Sequence, residues 1–137
     1  MPNIDLSQIV TAEDKAALIQ ARRRDALHAH RDQLIAAGTT VTVTGIGDVP
    51  LRGSPFDQTV MLSLLQRGAA RVAANDTTAD ILFRDDDNTD HLLTGEQAVE
   101  LAEAGMAWVQ AVMQSSWAIK DAGEIPADFD DPVHWPS

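Results

Sequence analysis

The chain has no cysteine, no tyrosine, few basic side chains and no long apolar run. Without cysteine there is no disulfide, no thiolate metal site and no cysteine nucleophile. No run of about 18 apolar residues is present, which excludes a membrane-spanning helix. The opening "MPNIDLSQIV" has neither the basic start nor the apolar stretch of a signal peptide, so a soluble, intracellular protein is expected. The shortage of bases is lopsided. Residues 1–71 carry eight basic groups against seven acids, whereas residues 72–137 carry two, Arg84 and Lys120, against fourteen. The sums, +1 and −12, make up the net charge of −11. A surface of that sign repels phosphate, so neither nucleic acid nor an anionic membrane is an expected partner outside a local Arg22–Arg24 patch.

What is present suits one domain. A chain of 137 residues, 45% of them hydrophobic, can bury one core. The expected layout is an N-terminal tail over residues 1–11, an α+β domain over 12–123 and an acidic, proline-bounded tail over 124–137. "TAED" reads as a capping box of Thr11 and Asp14, and Gly38 supplies a left-handed stop, which predicts a helix from Ala12 to Ala37. Its apolar stripe, Ala16, Ile19, Ala26, Leu27, Leu34 and Ala37, is narrow and rich in alanine, so its first turns are expected to stand free. "TTVTVTGIGDVPLRG" alternates on both sides of a glycine turn and reads as a hairpin with Pro50 on an edge strand. A phosphate-binding reading of "GIG" fails because no third glycine opens a helix there.

"SPFD" starts a second helix, with Ser54 as cap and Pro55 at the first position. Phe56, Val60 and Leu64 line one side of it, and Met61, Leu65, Gly68 and Val72 the adjoining one. "TGEQ" starts a third, with Thr94 capping and Gln97 reaching back. On the third helix Glu96, Glu100, Glu103, Gln110, Gln114 and Asp121 share one face. Val99, Leu101, Ala102, Met106, Trp108, Val109, Val112, Met113, Trp117 and Ile119 fill the other half. That helix is expected at the centre of the core, with Trp117 anchored against the second helix. The fold class is α+β: three helices and two β-hairpins in the order α-ββ-α-ββ-α, with a small antiparallel sheet packed on helices.

Between the second and third helices lies "ILFRDDDNTDHLLTGEQ". Read as a calcium loop, Asp85, Asp87, Thr89, His91 and Glu96 take the first, third, fifth, seventh and twelfth places. The sixth place holds Asp90 where the loop needs glycine, "ADILF" before it looks like a strand, and Glu96 falls to helix capping. The preferred reading is a second hairpin, "DILFR" returning through "DDNT" as "DHLL". Its acids are then a solvated turn, relieved by water and by Arg84. A carboxylate-pair hydrolase lacks the asymmetric burial it needs, and His28 and His30, two apart, point to different faces and make no metal pair. No catalytic residue, metal or cofactor is expected.

The succession of "VTVTGIGDVPLRGSPFDQTVMLSLLQRGAARV", "ILFRDDDNTDHLLTGEQAVELAEAGMAWVQAV" and "SSWAIKDA" resembles an uncharacterised family of small bacteriophage and prophage tail proteins, over about residues 15–125. That resemblance implies tail structure or tail-fibre assembly, with no assigned catalytic residue. It also implies a place in the bacterial host cytoplasm or the virion tail. The leading expectation is a non-enzymatic tail-associated protein acting through protein contacts, possible partners being a tail-fibre component or a second copy. The alternative is a small acidic calcium-binding module using Asp85, Asp87, Thr89 and Glu96. The expected contact surface joins Ile19, Arg23, Leu27 and Leu34 of the first helix to Phe129 and Trp135 of the C-terminal tail.

Overall fold

The computed structural model describes residues 11–137, so the expected N-terminal tail lies outside the described residues except for Thr11. The elements run α1 (Ala12–Ala37), β1 (Thr39–Val43), β2 (Gly47–Leu51), α2 (Pro55–Ala73), β3 (Ile81–Arg84), β4 (Asp90–Leu93) and α3 (Gly95–Asp121), followed by a 3-10 turn at Pro132–His134. This is the expected α+β order, with two separate two-stranded antiparallel sheets.

Local chemistry sets the boundaries. Thr11 Oγ1 accepts from the Asp14 amide at 3.1 Å while Asp14 Oδ2 accepts from the Thr11 amide at 3.3 Å. Thr94 and Gln97 repeat the exchange at 3.2 and 2.9 Å at the start of α3. Ser54 caps α2 and Pro55 occupies its first position. After α1 the chain turns at Gly38, φ 82°. A Cβ there would lie 1.8 Å from the Leu51 carbonyl oxygen, so only glycine lets the end of β2 cross.

In the first hairpin Val41 opposes Val49 and Thr39 opposes Leu51. Val41, Val43, Val49 and Leu51 are buried, while Thr40, Thr42 and Asp48 face out. Pro50 lies on the free edge of β2, where no N–H is needed, and its carbonyl accepts from the Asp86 amide at 3.0 Å. That bond sets the second hairpin beside the first. Beneath them α2 and α3 run antiparallel in close contact through small residues. A Cβ on Gly68 would meet the Gly95 oxygen at 2.6 Å, and one on Gly105 would meet Met61 Sδ at 2.4 Å.

The expected single core is in fact two. Val41, Val43, Val49, Leu51, Met61, Leu64, Ile81, Leu93, Ala98, Leu101 and Ala102 form one cluster. Leu27, Ile35, Val109, Val112, Ile119, Ile125 and Trp135 form the other. The reason is length: α3 has 27 residues, which at 1.5 Å per residue is about 40 Å, more than one small core spans. Its first half packs on the hairpins and α2, its second on α1 and the C-terminal segment.

Several expected core positions turn outward. Trp117 is 42% exposed and does not anchor α3 to α2. Helix α2 begins at Pro55, level with Val109 and Gln110, so the later turns of α3 have no α2 alongside. Phe56 and Val72, at opposite ends of α2, are exposed as well. The segment 124–137 is not a separate tail, because Ile125 and Trp135 belong to the second core.

Candidate functional site

The acidic hairpin is built around one carboxylate. Asp85 closes β3 and is buried, contrary to the expectation of a wholly solvated turn. Its Oδ1 accepts from the amides of Asp87 and Thr89, each at 2.9 Å, and its Oδ2 pairs with His91 Nε2 at 2.8 Å. Asn88 takes the left-handed conformation, φ 58°, that the reversal requires. The Asp85 side chain thus replaces the water that the amides of Asp87 and Thr89 would otherwise need. The His91 bond first, and then the Thr89 and Asp87 amides, hold the Asp85 carboxyl below its ordinary pKa against the desolvation that opposes them.

Two of the remaining acids are paired, and Asp87 faces solvent. Arg84 grips Asp90 through two bonds, at 2.6 and 3.0 Å, and Arg52 pairs with Asp86. A cleft of about 330 Å³ between the hairpins is lined by Arg52, Arg84 and Asp86, which are in those pairs, and by Asp57, which accepts from the Ser54 hydroxyl. Asp85 directs its oxygens at the turn, while Asp87, Thr89 and Glu96 are exposed. Glu96 is not the capping residue; Gln97 is. Among the described residues no three His, Asp or Glu side chains gather as a metal ion requires.

The six residues expected to form an outward contact surface are brought together differently. Leu27 is fully buried and Leu34 partly so, both against α3 and the C-terminal segment. Gln20 Oε1 accepts from the Ile125 amide at 2.8 Å, and Arg23 Nη1 donates to the Ile125 carbonyl at 3.0 Å. The His30 ring meets Trp135 and Phe129 edge to face, with centroids 5.2 and 6.3 Å apart, and Trp135 Nε1 donates to the Phe129 carbonyl at 2.8 Å. The first helix and the aromatic segment do form one surface, but they bury it against each other. Only Ile19 of the six stands out, 48% exposed. Close by, His28 Nε2 lies 3.2 Å from Lys120 Nζ, and burial first, then Lys120 and Arg31, lowers the His28 pKa.

Sequence reasoning missed the apolar groups that do face solvent. Leu18 joins Ile19 on the first turns of α1, and Leu82 and Leu92 stand opposite each other on the outer face of the second hairpin. Leu62 and Phe56 are exposed on α2, where a groove of about 410 Å³ runs along α3, lined by Pro55, Thr59, Leu62, Met106 and Gln110. A signal for it was present: the apolar residues of α2 cover more of its circumference than one buried stripe occupies.

No helix among the described residues is long and apolar enough to cross a membrane. No curated protein and no solved structure matches the chain. A family model does match, over residues 18–133, from the second turn of α1 to the 3-10 turn, which includes most of the docked C-terminal segment. The chain belongs to this family, which is described as a domain of unknown function, DUF4376.

Proposed function

We propose that the protein is a non-enzymatic component of phage or prophage tails, a structural part or fibre-assembly factor that works through protein contacts. One observation carries the contact role. Side chains with catalytic potential, Asp85, His91 and His28, are engaged in internal bonds, while large apolar side chains from α1, α2, β3, β4 and α3 stand in solvent. Exposed apolar groups grouped along a groove mark surfaces that other proteins cover. The tail setting rests on the resemblance of the two strand pairs and their following helices to small tail proteins. Under this reading the protein occurs in the host cytoplasm during assembly, or in the finished tail.

The calcium alternative has no specific observation in its favour, since the oxygens of Asp85 already serve the turn. The test is genetic and visual. In a phage that carries the gene, its deletion is expected to give particles with missing or incomplete fibres, restored by the gene in trans. Fully fibred, infective particles from the deletion strain would sink the reading.

A further inference from the structure

We propose that copies of this chain associate head to tail, the projecting end of α1 of one copy lying in the α2–α3 groove of the next. The projecting end is defined by where its cover stops. The C-terminal segment reaches α1 no further than Gln20, which holds Ile125, and residues 12–19 are exposed throughout. On that end Leu18 and Ile19, 51% and 48% exposed, are the large apolar side chains. Lys15 and Arg22 lie three and four residues from them on either side, on the same face, and both are exposed. Neither forms an ion pair among the described residues. Asp14 is engaged in the cap with Thr11, and Asp25 lies at the margin of the face.

The groove has the opposite character. Its apolar wall is Leu62, 49% exposed, with Pro55 and Met106, and Phe56 stands beside it at the start of α2. Glu103, exposed, lies one turn before Met106. Glu103 is the acid of α3 nearest this groove, since Glu100 accepts from the Thr44 amide and hydroxyl and Glu96 lies at the far end of α2, and α3 has no basic residue before Lys120. A helix laid in this groove must therefore offer apolar groups flanked by cations, as Leu18 and Ile19 are by Lys15 and Arg22. One surface is a ridge and the other a groove on different parts of the chain, so the contact is heterologous and repeats rather than closing as a simple two-fold pair. It differs from the expected contact surface, of which Leu27 is buried and Leu34 partly buried within the protomer. It rests on these surfaces and not on the phage-tail reading, which the deletion strain tests separately.

Sedimentation of the full chain tests it, at roughly 0.3 mM, where even an interface below standard size is populated. The wild type is expected to form dimers and longer species that diminish with salt. Leu18→Asp with Ile19→Asp, and separately Leu62→Glu, should each weaken association at least ~10-fold. Both sets are solvent-exposed, and circular dichroism will show whether folding is retained. Glu103→Lys, wholly at the surface, serves in place of Leu62→Glu if that variant unfolds. The decisive result is the mixture: the α1 variant keeps its groove and the groove variant keeps its ridge, so together they should form a heterodimer and nothing longer. A monomeric wild type overturns the proposal and leaves the groove to some other cationic helix. Variants that associate like the wild type, or a mixture that forms no heterodimer, also overturn it.

Discussion

Replacing Trp135 by alanine and, in a second protein, Trp117 by alanine separates the two tryptophans by a wide margin. Trp135 is 8% exposed, lies against the His30 ring and donates its indole N–H to the Phe129 carbonyl. Burying an indole removes about 150–250 Å² from water, and its truncation in a core costs roughly 3–5 kcal/mol. The site is near the chain end, so undocking of the segment limits the loss, and the lower figure applies: about 3 kcal/mol. For a chain of this length that is a fall in Tm of about 10 °C. Trp117, 42% exposed, leaves no cavity and should cost less than ~1 kcal/mol. Chemical and thermal unfolding measure both, and hydrogen exchange adds the location: in Trp135→Ala the amides of α1 around Leu27 should lose protection while those of β1 and β2 keep it. Equal losses from the two substitutions, or a larger one from Trp117, would refute the two-cluster packing and restore Trp117 as the anchor.

Two further outcomes follow from the hairpin and the helix contact. Asp85→Asn should lower the melting temperature clearly, whereas Asp87→Asn, at the exposed tip, should leave it unchanged. The Asp85 carboxyl is depressed from 3.8 in the folded chain, so its contribution is complete above that pH and is lost as pH falls through the folded value. Acid unfolding of the wild type below about pH 4 should therefore be steeper than that of Asp85→Asn, and identical acid profiles would contradict the buried turn. Gly68→Ala puts a methyl group 2.6 Å from the Gly95 carbonyl oxygen. The helices must part, at a cost of about 1–3 kcal/mol in denaturant unfolding. A neutral or stabilising result would mean that α2 and α3 are not in close contact there.

Much of this architecture was legible because it is local. The capping boxes Thr11–Asp14 and Thr94–Gln97, the Ser54–Pro55 start, the glycine at 38 and the turn-forming Asp and Asn run each act within four residues of chain. Sequence therefore set the α-ββ-α-ββ-α order, both ends of α1, the starts of α2 and α3 and the edge position of Pro50 by itself. The composition, too, settled that no thiol chemistry occurs and that the second half carries the negative charge.

What tertiary structure decided is which of several equivalent surfaces is covered. An apolar arc of nearly half a helix has more side chains than any one neighbour buries: α1 and the C-terminal segment cover Val109 and Val112, while Trp117 lies beyond the point where α2 begins and stays outside. Asp85 and Asp87 are alike in sequence. Asp85 sits where the strand enters the turn, so it faces the amides of Asp87 and Thr89 and the ring of His91, and Asp87 faces water. The segment 124–137 has aromatics but no periodic pattern to show where they go. Its place comes from Gln20, Arg23 and His30, about a hundred residues earlier, whose contacts with Ile125, Phe129 and Trp135 exist only once α1 and α3 lie side by side.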